Sequence, residues 1–340
     1  MKTRIGFLAL ILGLAISSFS QQDKHFSMFA ESPVYLNPAA AGFFPGGMQL
    51  FTNFRTQWSS VSNQPFRTIS AGTDWRMADN GNGFLGAGVN FYNDLSGDTK
   101  YMTNEVTIPI NYAVMLGKDN HLAFGLQPGF YQRTLINDNV TWDNQWTGTD
   151  FNTNFDSNES LLNEKLNISR FDISAGAYWY ANISRYTRLS FGIAGHHLTK
   201  QRINFMSADS KLYRKLTLHG QCSFTQQNSN LTIIPAFYAF LQGPNKEFTL
   251  GSNFRFLLRG SSRVTGHFDE IALSVGAYYR LGDAILTNVI FEISALSVGV
   301  GYDLNASSLT LASNGFGAFE VFLRYRVQFG RGGLGNPSIH

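Results

Sequence analysis

Apolar and polar residues alternate with a period of two along much of this chain, in runs of about ten residues. The last run is the clearest. Phe319, Val321, Leu323, Tyr325, Val327 and Phe329 share one face, and Glu320, Phe322, Arg324, Arg326 and Gln328 share the other. A strand sends successive side chains to opposite faces. Placing Arg324 or Arg326 in hydrocarbon would cost about 2–4 kcal/mol each, so both face inward and the aromatic face meets lipid. The same alternation sets Val106, Ile108, Ile110, Tyr112, Val114 and Leu116 against Glu105, Thr107 and Asn111 in 104–116. It sets Phe171, Ile173, Ala175, Ala177 and Trp179 against Asp172, Ser174 and Gly176 in 171–180. In 271–281, Ile271, Leu273, Val275, Ala277, Tyr279 and Leu281 oppose Ser274, Gly276 and Arg280.

Further strands are predicted over 47–57, 67–77, 83–93, 120–133, 187–198, 212–224, 230–241, 247–258, 284–293 and 295–304. The total is 14, an even number as single-chain bacterial barrels require. Barrel turns are short on the periplasmic side and longer outside. Gly117-Lys118-Asp119 and Asp79-Asn80-Gly81 suit tight periplasmic turns, while 58–66, 134–168, 199–211 and 305–316 suit outer loops. The 259–269 connection departs from that rule, being long on the periplasmic side. The predicted fold class is all-β, a transmembrane antiparallel β-barrel.

Composition sharpens this picture. Charged residues make up 14% of the 340 residues and aromatics another 14%, with 33 Gly and a mean hydropathy of −0.11. Soluble domains carry about 25% charge, and a bundle of membrane helices would be more hydrophobic. The formal net charge is +3, and removing Lys2 and Arg4 takes two positive charges from it. No basic surplus points to nucleic acid. One Cys excludes an intramolecular disulfide framework and a Cys-based zinc site.

Residues 1–20 have the design of a signal peptide. Lys2 and Arg4 supply the charged start, Ile5 to Ile16 the apolar run, and Ser18-Phe19-Ser20 a small-x-small cleavage site. The apolar run falls short of the roughly 20 residues of a spanning helix. The expected organisation is a signal peptide over 1–20, an N-terminal plug segment over 21–46, the barrel over 47–329 and a tail over 330–340.

Motifs of catalysis or cofactor binding are weak. Gly81-x-Gly83-x-x-Gly86 spells a dinucleotide fingerprint, but a turn precedes it and strand-like residues follow, where the motif needs strand then helix. None of the seven His residues has H-x-x-x-H or H-E-x-x-H spacing. His196 and His197 are neighbours, which a strand would point to opposite faces. No Gly-x-Ser-x-Gly elbow or activating pair is present. No enzyme, metal or cofactor is expected. Cys222 shares an apolar face with Leu216, Leu218 and Phe224 and reads as a small filler. Trp58, Trp75, Trp179, Tyr92, Tyr186 and Tyr279 suit interfacial anchoring. The 134–168 loop differs, carrying Trp142, Trp146, Phe151 and Phe155 among six carboxylates. Rings on an outer loop mark a contact surface, or fold inward as a lid.

Between Gln21 and the first strand lies a compact apolar segment. Asp23 suits the cap of a short helix with Phe26, Phe29 and Ala30 on one face, which Ser32-Pro33 should end. Asn37-Pro38 reads as a turn before small residues that allow close packing. Such a segment belongs inside the periplasmic mouth, as a plug. Its Gln22-Asp23-x-His25-Phe26-Ser27 and Pro33-x-Tyr35-Leu36-Asn37-Pro38-Ala39-x-Ala41-Gly42 resemble the opening of the PorP/SprF family of type IX secretion outer-membrane proteins. Phe319-Glu320-Val321-x-Leu323-Arg324-Tyr325-Arg326-Val327 is similar to that family's last strand. Glu31-Ser32 and the Gly-rich tail that ends at His340 depart from the family pattern.

The resemblance implies a non-enzymatic barrel of the outer membrane that helps secrete or anchor surface proteins, including gliding adhesins. It implies docking to periplasmic or outer-membrane components of that system. The plug would rest on Phe26, Tyr35, Leu36, Asn37, Pro38, Ala39 and Gly42, and cargo would meet Trp142, Trp146, Phe151 and Phe155. The alternative is a transport channel for hydrophobic small molecules, because Asn37-Pro38-Ala39 in an N-terminal hatch also resembles 14-stranded fatty-acid transporters. A plain porin would need a wide lumen rich in charge, whereas the inward positions read from sequence are largely Gly, Ser, Thr, Asn and Tyr.

Overall fold

The computed structural model describes residues 25–59, 64–97, 100–135, 141–156, 166–200, 212–260, 270–307, 310 and 315–327. The signal-peptide residues 1–20, Asp23 and the 330–340 tail lie outside the described residues. The strands are β1 Met48–Gln57, β2 Phe66–Met77, β3 Gly83–Ser96, β4 Tyr101–Thr107, β5 Ile110–Gly117, β6 Asn120–Leu135 and β7 Leu166–Ser184. They continue as β8 Thr187–His196, β9 Lys215–Thr225, β10 Leu231–Gln242, β11 Asn245–Arg259, β12 Ile271–Arg280, β13 Ala284–Ile293, β14 Leu296–Asn305 and β15 Phe316–Val327.

Every pairing is antiparallel, and β15 returns to β1 with Met48 opposite Val327 and Gln57 opposite Ala318, so the sheet closes. Strands β4 and β5 are two halves of one crossing, since both pair with β3 on one side and β6 on the other. Pro109, which has no N–H to give a ladder, sits at the break. The ladder continues across it through Ile108 N–H to the Pro128 carbonyl and Gly88 N–H to the Pro109 carbonyl, both 2.9 Å. The result is the closed 14-stranded barrel that the alternation predicts. Closure leaves no sheet edge to expose backbone polar groups to lipid.

Alternation is kept around the wall. On β13, Ile285, Val289, Phe291 and Ile293 are exposed outward while Ala284, Leu286 and Ile290 are buried inward. Outward Phe254, Val275, Val300, Leu323 and Tyr325 extend the same apolar belt. Among the described residues, no helix is long and apolar enough to cross a membrane. The end of the barrel where β1 starts and β15 finishes, here the terminal end, carries the two-residue connections 118–119, 185–186 and 294–295. The opposite, distal end carries 136–165 and 197–214, the longest connections. The 260–270 connection at the terminal end is long, as the sequence indicated.

The interior is built around the N-terminal segment. Instead of one short helix, this segment forms three 3₁₀ turns, Phe29–Glu31, Pro33–Tyr35 and Pro38–Ala40. Pro33 and Pro38 open the second and third turns, where a missing N–H is tolerated, and each stops the turn before it from continuing. Among the described residues, three of the four buried apolar clusters include the segment. Phe29 meets Tyr238, Phe240 and Tyr278; Met28 and Val34 meet Phe51, Ile290 and Phe322; Ala39 and Ala40 meet Phe84 and Tyr178.

Candidate functional site inside the barrel

The segment runs the height of the lumen, which corrects the expectation that it sits in one mouth. Its Phe43 ring stands 4.8 Å from Phe84 and 6.3 Å from His121, near the terminal end. His25, at the other extreme, is 3.5 Å from Glu247 beside the distal turn between β10 and β11. Chain connectivity fixes where it enters: β1 starts at the terminal end, so the residues before it reach the lumen from that end.

Polar anchors hold it at four levels. In the distal half, Glu320 accepts the N–H of Ser27 at 2.7 Å and of Met28 at 3.1 Å. The Ser27 hydroxyl donates to Asp303 at 2.8 Å and accepts from Arg280 at 3.3 Å and from Arg55. Arg55 also pairs with Asp303 at 2.8 Å and Glu320 at 3.3 Å. Two guanidinium groups thus face two carboxylates, all buried. Buried charges persist only when paired and hydrogen-bonded, and here the segment's own backbone completes the set. One level down, Arg324 reaches Glu31 at 2.9 Å. The residue that departs from the family pattern therefore neutralises the arginine on the last strand.

Asn37 forms the middle anchor. It is fully buried, its amide nitrogen donates to the carbonyls of Ala177 at 2.8 Å and Ile193 at 3.3 Å, and its oxygen caps Ala39 N–H at 2.9 Å. The wall is cut to receive it. A Cβ on Gly176 would stand 2.1 Å from Asn37 Oδ1, and one on Gly192 would stand 2.6 Å from Nδ2. The Leu36 carbonyl accepts from Thr217 at 2.9 Å and from His196 Nε2 at 3.1 Å. Near the terminal end, Asn111 donates to the Ala41 carbonyl at 2.7 Å and Gly42 N–H donates to Asp74 at 2.9 Å. Gly42 has φ +79°, which its lack of a side chain permits.

The motif residues thus come together in one buried strip. Phe26 lies 5.7 Å from Tyr92 and Tyr35 sits edge-on to Phe51 at 5.2 Å, while Pro38 and Ala39 are buried against the β6 and β7 wall. One expectation is corrected. His196 and His197 do not point to opposite faces; β8 ends at His196, and a φ of +56° turns His197 inward to Asp172 at 2.7 Å, so both are buried. Among the mostly neutral inward residues, Arg55, Arg280, Asp303, Glu320 and Arg324 are buried charges. The alternation already placed Glu320 and Arg324 inward. That they serve Ser27 and Glu31 depends on contacts across the closed barrel.

The distal loop keeps three of its rings outward. Trp146, Phe151 and Phe155 are 48%, 43% and 50% exposed, so they do not fold in as a lid. The Trp146 and Phe151 rings lie 4.8 Å apart, tilted by 58°, across an isolated antiparallel bridge. Gln145 ties the loop together, accepting Trp142 N–H at 3.1 Å and donating to the Phe155 carbonyl at 2.9 Å. Trp142 is partly buried. Loop residues 136–140 and 157–165, with Asp138, Glu159 and Glu164, lie outside the described residues. Among the described residues, no group of His, Cys, Asp and Glu is placed to hold a metal ion. Gly83 and Gly86 lie in β3, after a turn and with no helix following, so the glycine pattern forms no phosphate cradle.

A sequence family described as type IX secretion system membrane protein PorP/SprF matches residues 18–325. The chain belongs to the PorP/SprF family. It is an outer-membrane β-barrel of the type IX secretion system and works with other components of that system. That family is one of secretion-system barrels, not of enzymes. Among solved structures, the Ralstonia pickettii toluene transporter TbuX is similar over 88% of this chain and 93% of its own, with 10% identity and a TM-score of 0.52. The CymD monoaromatic hydrocarbon channel is similar over 89% and 94%, with 10% identity and a TM-score of 0.50. At that identity the likeness is one of fold alone. No curated protein matches the chain in sequence.

Proposed function

We propose that this PorP/SprF barrel is a plugged platform that retains a secreted surface protein, such as a gliding adhesin, at its distal loops. The observation that carries the reading is the N-terminal segment, tied into the lumen by Glu320, Asn37 and Asn111 along its whole height. A lumen so occupied favours docking over free passage. The terminal end, with its short connections, faces the periplasm and meets partner subunits of the secretion system. The distal end faces outward and presents Trp146, Phe151 and Phe155, large rings of the type that anchor protein interfaces. The outward apolar belt meets outer-membrane lipid.

Deleting 138–164 tests this. Cargo should be lost from the cell surface while the barrel stays heat-modifiable on gels; normal retention would refute the cargo loop. The alternative of hydrocarbon transport rests on fold likeness, and a lumen crossed by buried ion pairs argues against it.

A further inference from the structure

The segment leaves part of the lumen unfilled. Between it and the inner wall lies a cavity of about 80 Å³ that joins the rings of Phe26, Tyr35 and Tyr92 to the side chains of Asn53, Asn90 and Gln127. The three amide side chains are at least nine-tenths buried. Both amide atoms of Asn53, both of Asn90 and Oε1 of Gln127 have no hydrogen-bond partner among the described residues. Buried polar groups in folded proteins find partners, so the partner for these belongs in the cavity. The wall makes room for them: a Cβ on Gly72, which faces Asn90 across β2 and β3, would stand 2.5 Å from Asn90 Oδ1.

The chemistry of the lining selects its occupant. Each amide offers a donor and an acceptor side by side, a match for neighbouring hydroxyls that each donate and accept. A hydrocarbon would leave every amide unpaired. The ring faces in turn suit a ligand with an apolar C–H face. One water needs about 10–15 Å³ of such space, so about five to eight water-sized groups fit, the scale of one sugar ring. We propose that the cavity binds a single neutral polyhydroxylated ring, a ligand of the monosaccharide class. Glu105, also on the lining, adds an acceptor for a hydroxyl. This site is separate from the distal loop and stands or falls apart from cargo retention.

Calorimetric titration of the full mature barrel in detergent tests the site, using D-glucose, D-galactose and N-acetyl-D-glucosamine, with toluene as the apolar comparison. At least one sugar should bind saturably at one site. Asn90→Leu should weaken that binding by about tenfold or more, as expected when a buried polar partner is lost, while heat-modifiability stays unchanged. Should Asn90→Leu fail to fold, Asn53→Ser makes the comparison with a smaller side chain and should weaken binding by at least about threefold. No saturable heat from any of the three sugars up to about 20 mM, the weak end of specific affinity, would overturn the proposal. So would equal affinity in the variants, saturable toluene binding in place of sugar, or ordered water alone in a high-resolution structure soaked with sugar.

Discussion

Glu320 offers the sharpest test of how the segment is held. Its carboxylate accepts the N–H groups of Ser27 and Met28 and pairs with Arg55, all without exposure to solvent. Glu320→Ala leaves two buried N–H groups without an acceptor and Arg55 with only Asp303 for charge balance. Removing one partner of a buried ion pair costs about 3–5 kcal/mol, and two orphaned donors alone account for much of that. The cost falls on the docked state of the segment, because released N–H groups would be hydrated. The equilibrium for release should therefore rise by roughly two to three and a half orders of magnitude. A Met28→Cys reporter reads this directly, since Met28 is 3% exposed and Cys222 can be replaced by Ser. Maleimide labelling of the folded barrel should accelerate by that factor in Glu320→Ala. Glu320→Gln, which keeps one acceptor oxygen, should fall between. Acceleration below about threefold would refute the claim that this carboxylate anchors the segment.

Other consequences are open to measurement. Gly176→Leu puts a side chain where Asn37 Oδ1 stands, so the same reporter should label faster by at least about tenfold, with overpacking of about 1–3 kcal/mol; unchanged labelling would show that the slot is not needed. Arg324→Ala should lower barrel stability by about 3 kcal/mol through the unpaired Glu31, and Arg324→Met with Glu31→Gln should recover most of it. A thermal-melt cycle without coupling would contradict the pair. Val289→Arg, at the centre of an outward face, should cost about 2–4 kcal/mol in lipid refolding assays; a neutral result would mean that this face is not in hydrocarbon. Trp146→Ala with Phe151→Ala should leave stability within about 0.5 kcal/mol yet reduce cargo on the cell surface, and full retention would remove these rings from the docking surface.

The alternation of the chain was enough to place all 14 crossings and to say which face meets lipid, because a strand in a membrane has two unlike solvents on its two sides. Arg324 and Arg326 forced the choice on the last strand, and the choice carried to strands without charge. The opening residues 26–42 were legible as one compact unit from Pro33, Asn37-Pro38 and the small residues after them, and the family resemblance rested on those same residues. The path of that unit was not legible. A short apolar segment before β1 could have stopped at the near mouth, and only the closed lumen, lined by a ladder of anchors, draws it to the far end. His197 was misplaced because a single positive φ at a strand end has no signature in the order of residues.

Sequence by itself thus determined the barrel, the number of its crossings and which face of each strand meets lipid, all of which depend on local periodicity and on the cost of charge in hydrocarbon. Tertiary structure alone decided the partners inside. Ser27 and Glu320 lie 293 positions apart and meet only because β15 pairs back onto β1. Gly176 and Gly192 form one slot only because β7 and β8 lie side by side, and Asn37 reaches it only by entering from the centre. Such contacts come from closure of the sheet, which fixes distances between residues that no pattern along the chain relates.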